Sequence, residues 1–304
     1  MKSVLTRLLN PFLQFYGHVL PYHRGKGRIL AYLIQLMNLR VNGTQVVKRR
    51  GLKWKLGLDW DIDRCIYFFG IWEPWETKLI EAGLKPGSVF FDIGANIGYF
   101  SLIAGKEVGC TGEVHAFEPS PEEFVRLTNN IQLNGFDMVR LNHFALSDRP
   151  GKVFITQTRG AGSTRITGNL SESGEEREID AVPLDAYVED VKLTRLDLIK
   201  VDIEGAEYKF LLGARNTIER FRPIIMIELN PAALSYFDTS AAQISSILQY
   251  HGYVSYIARP NCLKRQTRLP TPSEYVNAIA LPAECWASSN TINYKTFAKW
   301  AANR

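Results

Sequence analysis

From Leu84 onward the sequence alternates short apolar runs with segments of helical period, and this alternation constrains the fold more than any other feature. Runs at Ser88–Ile93, Glu113–Phe117, Arg140–Ala145, Leu196–Val201, Ile224–Glu228, Tyr253–Ile257 and Tyr275–Leu281 read as strands. Helices are expected between them, over Ile97–Lys106, Pro121–Leu133, Ala206–Gly213 and Ala241–Tyr250. Strands this apolar, joined through helices, predict a parallel sheet covered on both faces, the α/β class. The third and fourth strands are separated by about fifty residues that include RGAGSTRITGNLSESGEERE, a polar, glycine-rich stretch that reads as a mobile loop.

Residues 1–75 stand ahead of this pattern as a small α+β extension. Leu5, Leu8, Leu9, Phe12 and Phe15 recur near helical spacing with a break at Pro11, and a second helical segment runs from Gly27 to Met37. Val46–Asp59 and Arg64–Phe69 alternate, with Trp54, Leu56 and Leu58 on one face and a turn at DWDID, which predicts a hairpin. The main domain is then expected over 76–283, followed by a tail at 284–304.

Charge separates the extension from the rest. Residues 1–58 hold eleven Lys or Arg and no acid, so the remainder of a chain of net charge +5 carries −6. Such a block suits an anionic partner, either a membrane surface or an acidic acceptor, with nucleic acid the least favoured of the three; it also suits a solvated basic face. The first twenty residues lack a clean apolar core and a cleavage site, which argues against a secretory signal and leaves open a transit peptide or an interfacial helix. No run of eighteen apolar residues occurs. Cys65, Cys110, Cys262 and Cys285 are far apart and form no C-x-x-C pair, which fits a reducing compartment. The expected location is therefore cytoplasmic, peripheral to a membrane if the basic segment docks there.

The chemistry is expected where FFDIGANIGYFSL leaves the first strand. Gly94 permits a sharp turn after Asp92, and the helix that follows presents free N–H groups and a positive dipole end. The spacing is G-x-x-x-G, with Asn96 where a dinucleotide-binding turn has its middle glycine, and no G-K-[ST] follows. Gly98 sits in the first turn of the helix. Alone, this turn also reads as a plain strand–helix bend. Glu118 ends the second strand, where a doubly wound sheet sets an acid against ribose hydroxyls, and together with the turn it favours an adenosyl ligand. FALSD, residues 144–148, is expected across the adenine, with the backbone at Ala145 and the carboxylate of Asp148 near the base edge. Beyond the fourth strand, Asp202, Glu204 and Glu207 cluster at the end of a parallel strand, where open α/β sheets hold their active sites.

FDIGANIGYFSL, HAFEPSPEEFVRLTNNIQLNG, FALSD and IKVDIEGAEYKFLLGA, in this order, resemble the FkbM-type family of S-adenosylmethionine-dependent methyltransferases over about residues 71–230. WEPWE resembles that family's E-P-x-E element, which adds Glu73 to the expected cofactor set. The resemblance implies a class I, Rossmann-like methyltransferase fold, a seven-stranded, mostly parallel sheet whose last strand is antiparallel. It also implies methylation of oxygen on a sugar, glycoconjugate or secondary metabolite. Asp92, Gly94, Asn96 and Gly98 are then expected at the amino-acid end of S-adenosylmethionine and Glu118 at its ribose.

Transfer to a hydroxyl needs the acceptor oxygen held about 3 Å from the methyl and a group to take its proton. Asp202 is the first candidate base and His143, near the third strand's end, the second. A metal variant places Mg²⁺ on Asp202, Glu228 and Asn230. The acceptor, a small molecule or a glycan, is expected to meet the basic extension, the 157–178 loop with Arg159 and Arg165, and Trp60, Trp72 and Trp75. Two rivals remain at this point: an NAD(P)-dependent oxidoreductase, opposed by the missing glycine, and a non-catalytic cofactor- or glycan-binding assembly protein.

Overall fold

The computed structural model of the chain describes residues 43–58, 61–157, 164–167, 176–267, 276–286 and 288–304. The two amino-terminal helical segments, Trp60 and Arg159 lie outside the described residues, and the side chain of Arg165 is not described. Two compact units are present, one ending at Pro74 and the other beginning at Trp75.

In the first unit, β1 (Gln45–Arg49) and β2 (Leu52–Leu56) form an antiparallel hairpin in which Arg49 pairs with Leu52. The two linking residues, Arg50 and Gly51, have φ of +55° and +83°, the left-handed turn that matches the twist of a two-residue hairpin. Trp54 and Leu56 face inward, as read from the sequence, and Leu52 joins them. Arg64–Phe69, expected as the partner strand, is instead part of a helix, Asp61–Phe69. Asp63, Ile66 and Tyr67 are buried at helical spacing. The Asp63 carboxylate accepts the backbone N–H groups of Gly57 and Leu58 at 2.8 and 3.1 Å, which ties the hairpin exit to the helix.

The boundary falls at the first residue of the helix Pro74–Gly83, and in the second unit β3 (Val89–Ile93), β4 (Glu113–Phe117) and β5 (Val139–Asn142) alternate with the helices Tyr99–Val108 and Pro121–Asn134. Next come β6 (Ala145–Leu146), β7 (Gly151–Gln157), β8 (Thr164–Thr167) and β9 (Glu176–Val182). The chain returns through β10 (Leu198–Val201), β11 (Ile224–Leu229), β12 (Tyr253–Ala258), β13 (Cys262–Gln266), β14 (Val276–Pro282) and β15 (Thr291–Asn293). The main sheet runs β15-β13-β12-β14-β11-β10-β3-β4-β5. Strands β5, β4, β3, β10 and β11 are parallel, and β14 inserts antiparallel between β11 and β12. This is the class I methyltransferase order, with two further antiparallel strands at one edge.

Every residue of β3 is buried, so both sheet faces are covered. On one face Phe91, Ile93, Ile199 and Val201 join an apolar core with Leu184, Phe210 and Leu248 of the covering helices. Each such side chain contributes about 1.5–3 kcal/mol on burial. The other face carries Asp92 and Lys200, cross-strand partners in register, beneath the helix Tyr99–Val108.

Three expectations differ from the fold. The long insert is not only a loop: it builds a second sheet in the order β6-β9-β7-β8. The expected strand Arg140–Ala145 is also split, because Ala145 leaves the main sheet and pairs with Ala181 of β9. Residues 284–304, set apart as a tail, supply edge strand β15, paired with β13, and the helix Tyr294–Ala302. Among the described residues no helix is long and apolar enough to cross a membrane.

Candidate active site

Strand order reverses at β3, which has β4 on one side and β10 on the other, so the carboxyl ends of these three strands frame a crevice. The turn leaving β3 is pinned to β4: the N–H groups of Gly94 and Ala95 both donate to the carbonyl of Phe117, at 3.0 and 2.9 Å. Gly94 takes φ +80°, and a Cβ placed on it would lie 1.8 Å from the carbonyl oxygen of Asp202. Gly98 takes φ +85°, and its Cβ would lie 2.6 Å from Leu127. Both glycines are thus required by turn geometry and by neighbouring protein atoms; the space beside each is filled by the chain itself. Asn96, at the position of the missing middle glycine, adopts φ +52°, a left-handed conformation that Asn tolerates better than most residues. Its side-chain oxygen accepts the Ile97 N–H at 2.8 Å.

Glu118 joins the two turns. Its Oε2 accepts the N–H of Asn96 at 2.7 Å and its Oε1 the N–H of Ser120 at 2.9 Å. A carboxylate offers about two acceptor directions per oxygen, so one remains on each. Burial pushes this carboxyl up to about 8, against the pull of the two N–H donors and with the help of Glu123 and Asp92. The group is held ready to accept from hydroxyl donors, which would favour its ionised form. Asp92 lies deeper. Its Oδ2 accepts from the Ser101 hydroxyl at 2.6 Å, while its Oδ1 is buried without a hydrogen-bond partner. Burial raises the Asp92 carboxyl, and the Lys200 ammonium opposes the shift.

Lys200 was not singled out by sequence reasoning. Its ammonium, almost fully buried, pairs with Asp202 Oδ2 at 3.0 Å and lies 5.0 Å from the Phe100 ring centre. Its charge also holds down the carboxyl of Glu76, which burial raises and which accepts from Asn277 at 3.1 Å. The available signal was a single lysine inside an otherwise apolar strand, LIKV, a position that a cation occupies only when paired. Asp202 itself is 28% exposed at the tip of β10, with Oδ2 taken by Lys200. Glu207 turns inward: its Oε1 accepts the N–H groups of Ile203 and Gly205, each at 3.2 Å, and burial pushes its carboxyl up to about 7. It fixes the loop after Asp202.

The other expected residues are dispersed. His143 is exposed just beyond edge strand β5, stacked on Phe124 with ring centres 4.4 Å apart. Three strand spacings separate β5 from β10, roughly 14 Å, so the structure does not bring His143 to Asp202. Glu73 belongs to the first unit, at φ +39°. Ala145 lies in β6, and Asp148 accepts from the Ser147 hydroxyl at 3.0 Å. Trp72 and Trp75 are half-buried. For the magnesium variant, the Asn230 side-chain oxygen already caps the helix Pro231–Ser235 by accepting from Ala233. Among the described residues no group of three or more His, Cys, Asp or Glu side chains is arranged to hold a metal. Nothing in the donor set supports magnesium at Asp202, Glu228 and Asn230.

Residues 92–255, more than half of the chain, match the family model described as the methyltransferase FkbM domain. Among curated proteins, the 31-O-demethyl-FK506 methyltransferase FkbM of Streptomyces tacrolimicus is 28% identical over 201 residues, covering 56% of this chain and 74% of that protein. The hexuronic acid methyltransferase AglP of Haloferax volcanii is 29% identical over 149 residues, 49% of this chain and 59% of its own length. The 2-O-methyltransferase NoeI of Sinorhizobium fredii is 25% identical over 158 residues, 45% of this chain and 62% of its own. The chain therefore spans about three fifths of the length of the latter two.

Proposed function

The chain belongs to the FkbM family of S-adenosylmethionine-dependent methyltransferases, and we propose that the group it methylates is a hydroxyl oxygen on a sugar, a glycoconjugate or a comparable small metabolite. The names of two relatives specify O-methylation and that of a third a hexuronic acid, which supports an oxygen acceptor on a polar, hydroxyl-rich molecule. The transferase domain is proposed to begin near residue 76. It takes in residues 284–304, since β15 and the last helix are built onto its sheet.

Glu118 carries this reading. A buried carboxylate with one free acceptor direction on each oxygen, fixed by two backbone N–H groups beside a glycine turn, fits the paired hydroxyls of a ribose. The unpartnered Asp92 Oδ1 fits an ammonium donor, because a buried carboxylate oxygen without one is costly. Asp92 and the Asn96 turn would thus hold the amino-acid end, with Gly94 and Gly98 shaping the turn. Ala145 is assigned to the adenine side on the family resemblance.

When bound, S-adenosylmethionine supplies an electrophilic methyl group on a good leaving group. The chain must then orient an acceptor oxygen in line with it and take up the hydroxyl proton. Asp202 is the proposed base, acting through Oδ1 while Lys200 holds Oδ2. The proton moves from the acceptor oxygen to that carboxylate and then to solvent at the crevice mouth.

Incubation with methyl-labelled S-adenosylmethionine and a panel of neutral and acidic sugars tests the proposal. Label recovered as an O-methyl ether supports it. Label recovered only on nitrogen or carbon, with none on oxygen across the panel, would overturn it.

A further inference from the structure

A cavity of about 150 Å³ opens beside the loop that carries Asp202. Its volume suits one ring of a substrate rather than a whole extended ligand. Its lining takes in the segment 145–154, which runs from β6 into β7 of the second sheet, together with Ala206, Lys209 and Phe237. Ala206 belongs to the same loop as Asp202, so the cavity and the proposed base share one short stretch of backbone. That stretch is immobilised. Gly205, at φ +108°, packs so closely that a Cβ on it would lie 2.3 Å from the Ala233 carbonyl and 2.8 Å from the Phe237 ring. Glu207 holds its N–H groups from below.

The lining has a definite chemistry. The Lys209 ammonium lies 5.4 Å from the centre of the Phe237 ring. Neither Lys209 nor Arg149 has a carboxylate partner among the described residues, whereas Lys152 in the same lining is paired with Asp180 at 2.8 Å and with Glu178 at 3.5 Å. Asp148, its Oδ1 engaged by Ser147, keeps Oδ2 as an acceptor. Two unpaired cations, one free carboxylate oxygen and an aromatic ring are the groups that recognise a sugar bearing both hydroxyls and an acid.

We infer that this cavity is an acceptor subsite for an acidic sugar. Lys209 and Arg149 hold the sugar carboxylate, Asp148 accepts from a ring hydroxyl, and the ring lies against Phe237. The inference rests on the methyltransferase reading above and adds to it the charge of the acceptor. It also moves Asp148 from the adenine to the acceptor.

Calorimetric titration of the full chain, saturated with S-adenosylhomocysteine, tests it with methyl glucuronide and methyl glucoside as probes. The expected result is glucuronide binding about tenfold tighter than glucoside, with that preference reduced to threefold or less in Lys209→Met and abolished in Lys209→Met/Arg149→Ala. S-adenosylhomocysteine affinity should stay unchanged in both variants. Equal binding of the two probes by the unmodified chain, or a preference that survives the double substitution, would overturn the subsite while leaving the methyltransferase reading intact. Failure of S-adenosylhomocysteine itself to bind would instead remove the reading on which the subsite depends.

Discussion

Gly94 stands directly against the carbonyl of Asp202, so that the turn after β3 and the tip of β10 form one interlocked piece of backbone. A Cβ at Gly94 would sit 1.8 Å from that oxygen, and φ at the position is +80°. Gly94→Ala must therefore both adopt a left-handed conformation and push the β10 tip away. The expected loss is about 3 kcal/mol, combining about 1–2 kcal/mol for the conformation with an overpacking term of similar size. Urea denaturation measures it. A loss below about 1 kcal/mol would show that the two strand ends are not locked together.

Glu118 and Glu207 make the ligand-free protein sensitive to pH in a direction opposite to that of most acids. Burial raises both carboxyls, to about 8 and about 7. An acid that titrates higher folded than unfolded contributes fully below its unfolded value, and that contribution fades as pH rises through the folded value. Thermal stability should therefore fall between about pH 5 and pH 8, and Glu118→Gln should flatten the slope. Cofactor affinity should run the other way, rising over the same range as hydroxyl donors stabilise the ionised Glu118. Melting temperature and calorimetry across pH, with and without S-adenosylhomocysteine, check both signs.

Buried Lys200 pairs with Asp202 at the crevice and offsets the charge of fully buried Asp92. Lys200→Met should destabilise the fold by about 3–5 kcal/mol, because it leaves buried acid without its counter-charge. Adding Asp92→Asn should recover part of that loss. A double-mutant cycle in which the two changes simply add would contradict the coupling.

Much of this architecture is legible from sequence because each strand of the parallel sheet announces itself by local apolarity and each ends in a recognisable turn. VFFDIGANIG and IKVDIEGAE lie side by side at the switch point, each ending in the turn that its sequence announces. Other parts depend on long-range pairing that local patterns do not carry. β6 has only two residues and owes its existence to β9, which follows more than thirty positions later. The stretch Arg64–Phe69 shows strand-like alternation, yet Asp63 anchors it as a helix through bonds to Gly57 and Leu58. In the site, the acids could be found from their strand-end positions. Lys200 could be flagged as a lysine inside an apolar strand, but its partners could not, because which carboxylates face it is decided by the sheet. The roles of Gly94 and Gly98 also needed coordinates, since a glycine required by a neighbouring carbonyl and one required by a ligand look identical in sequence.

Asp202→Asn separates proton transfer from binding. The variant should keep its cofactor affinity within about threefold while kcat falls roughly 10²–10⁴-fold, the span that a general base contributes. Single-turnover transfer to an accepted sugar reads this directly. Unchanged kcat would remove Asp202 from the chemistry and leave it as the partner of Lys200.

The most direct measurement is calorimetry of the full chain with S-adenosylmethionine, S-adenosylhomocysteine and NAD⁺, in the unmodified protein and in Glu118→Ala. The first two should bind in the micromolar range and NAD⁺ should not bind, with at least a tenfold loss in the variant while it remains folded. Equal affinity in the variant, or NAD⁺ bound as well as S-adenosylmethionine, would contradict the assignment of Glu118 and the glycine turn to the methyl donor.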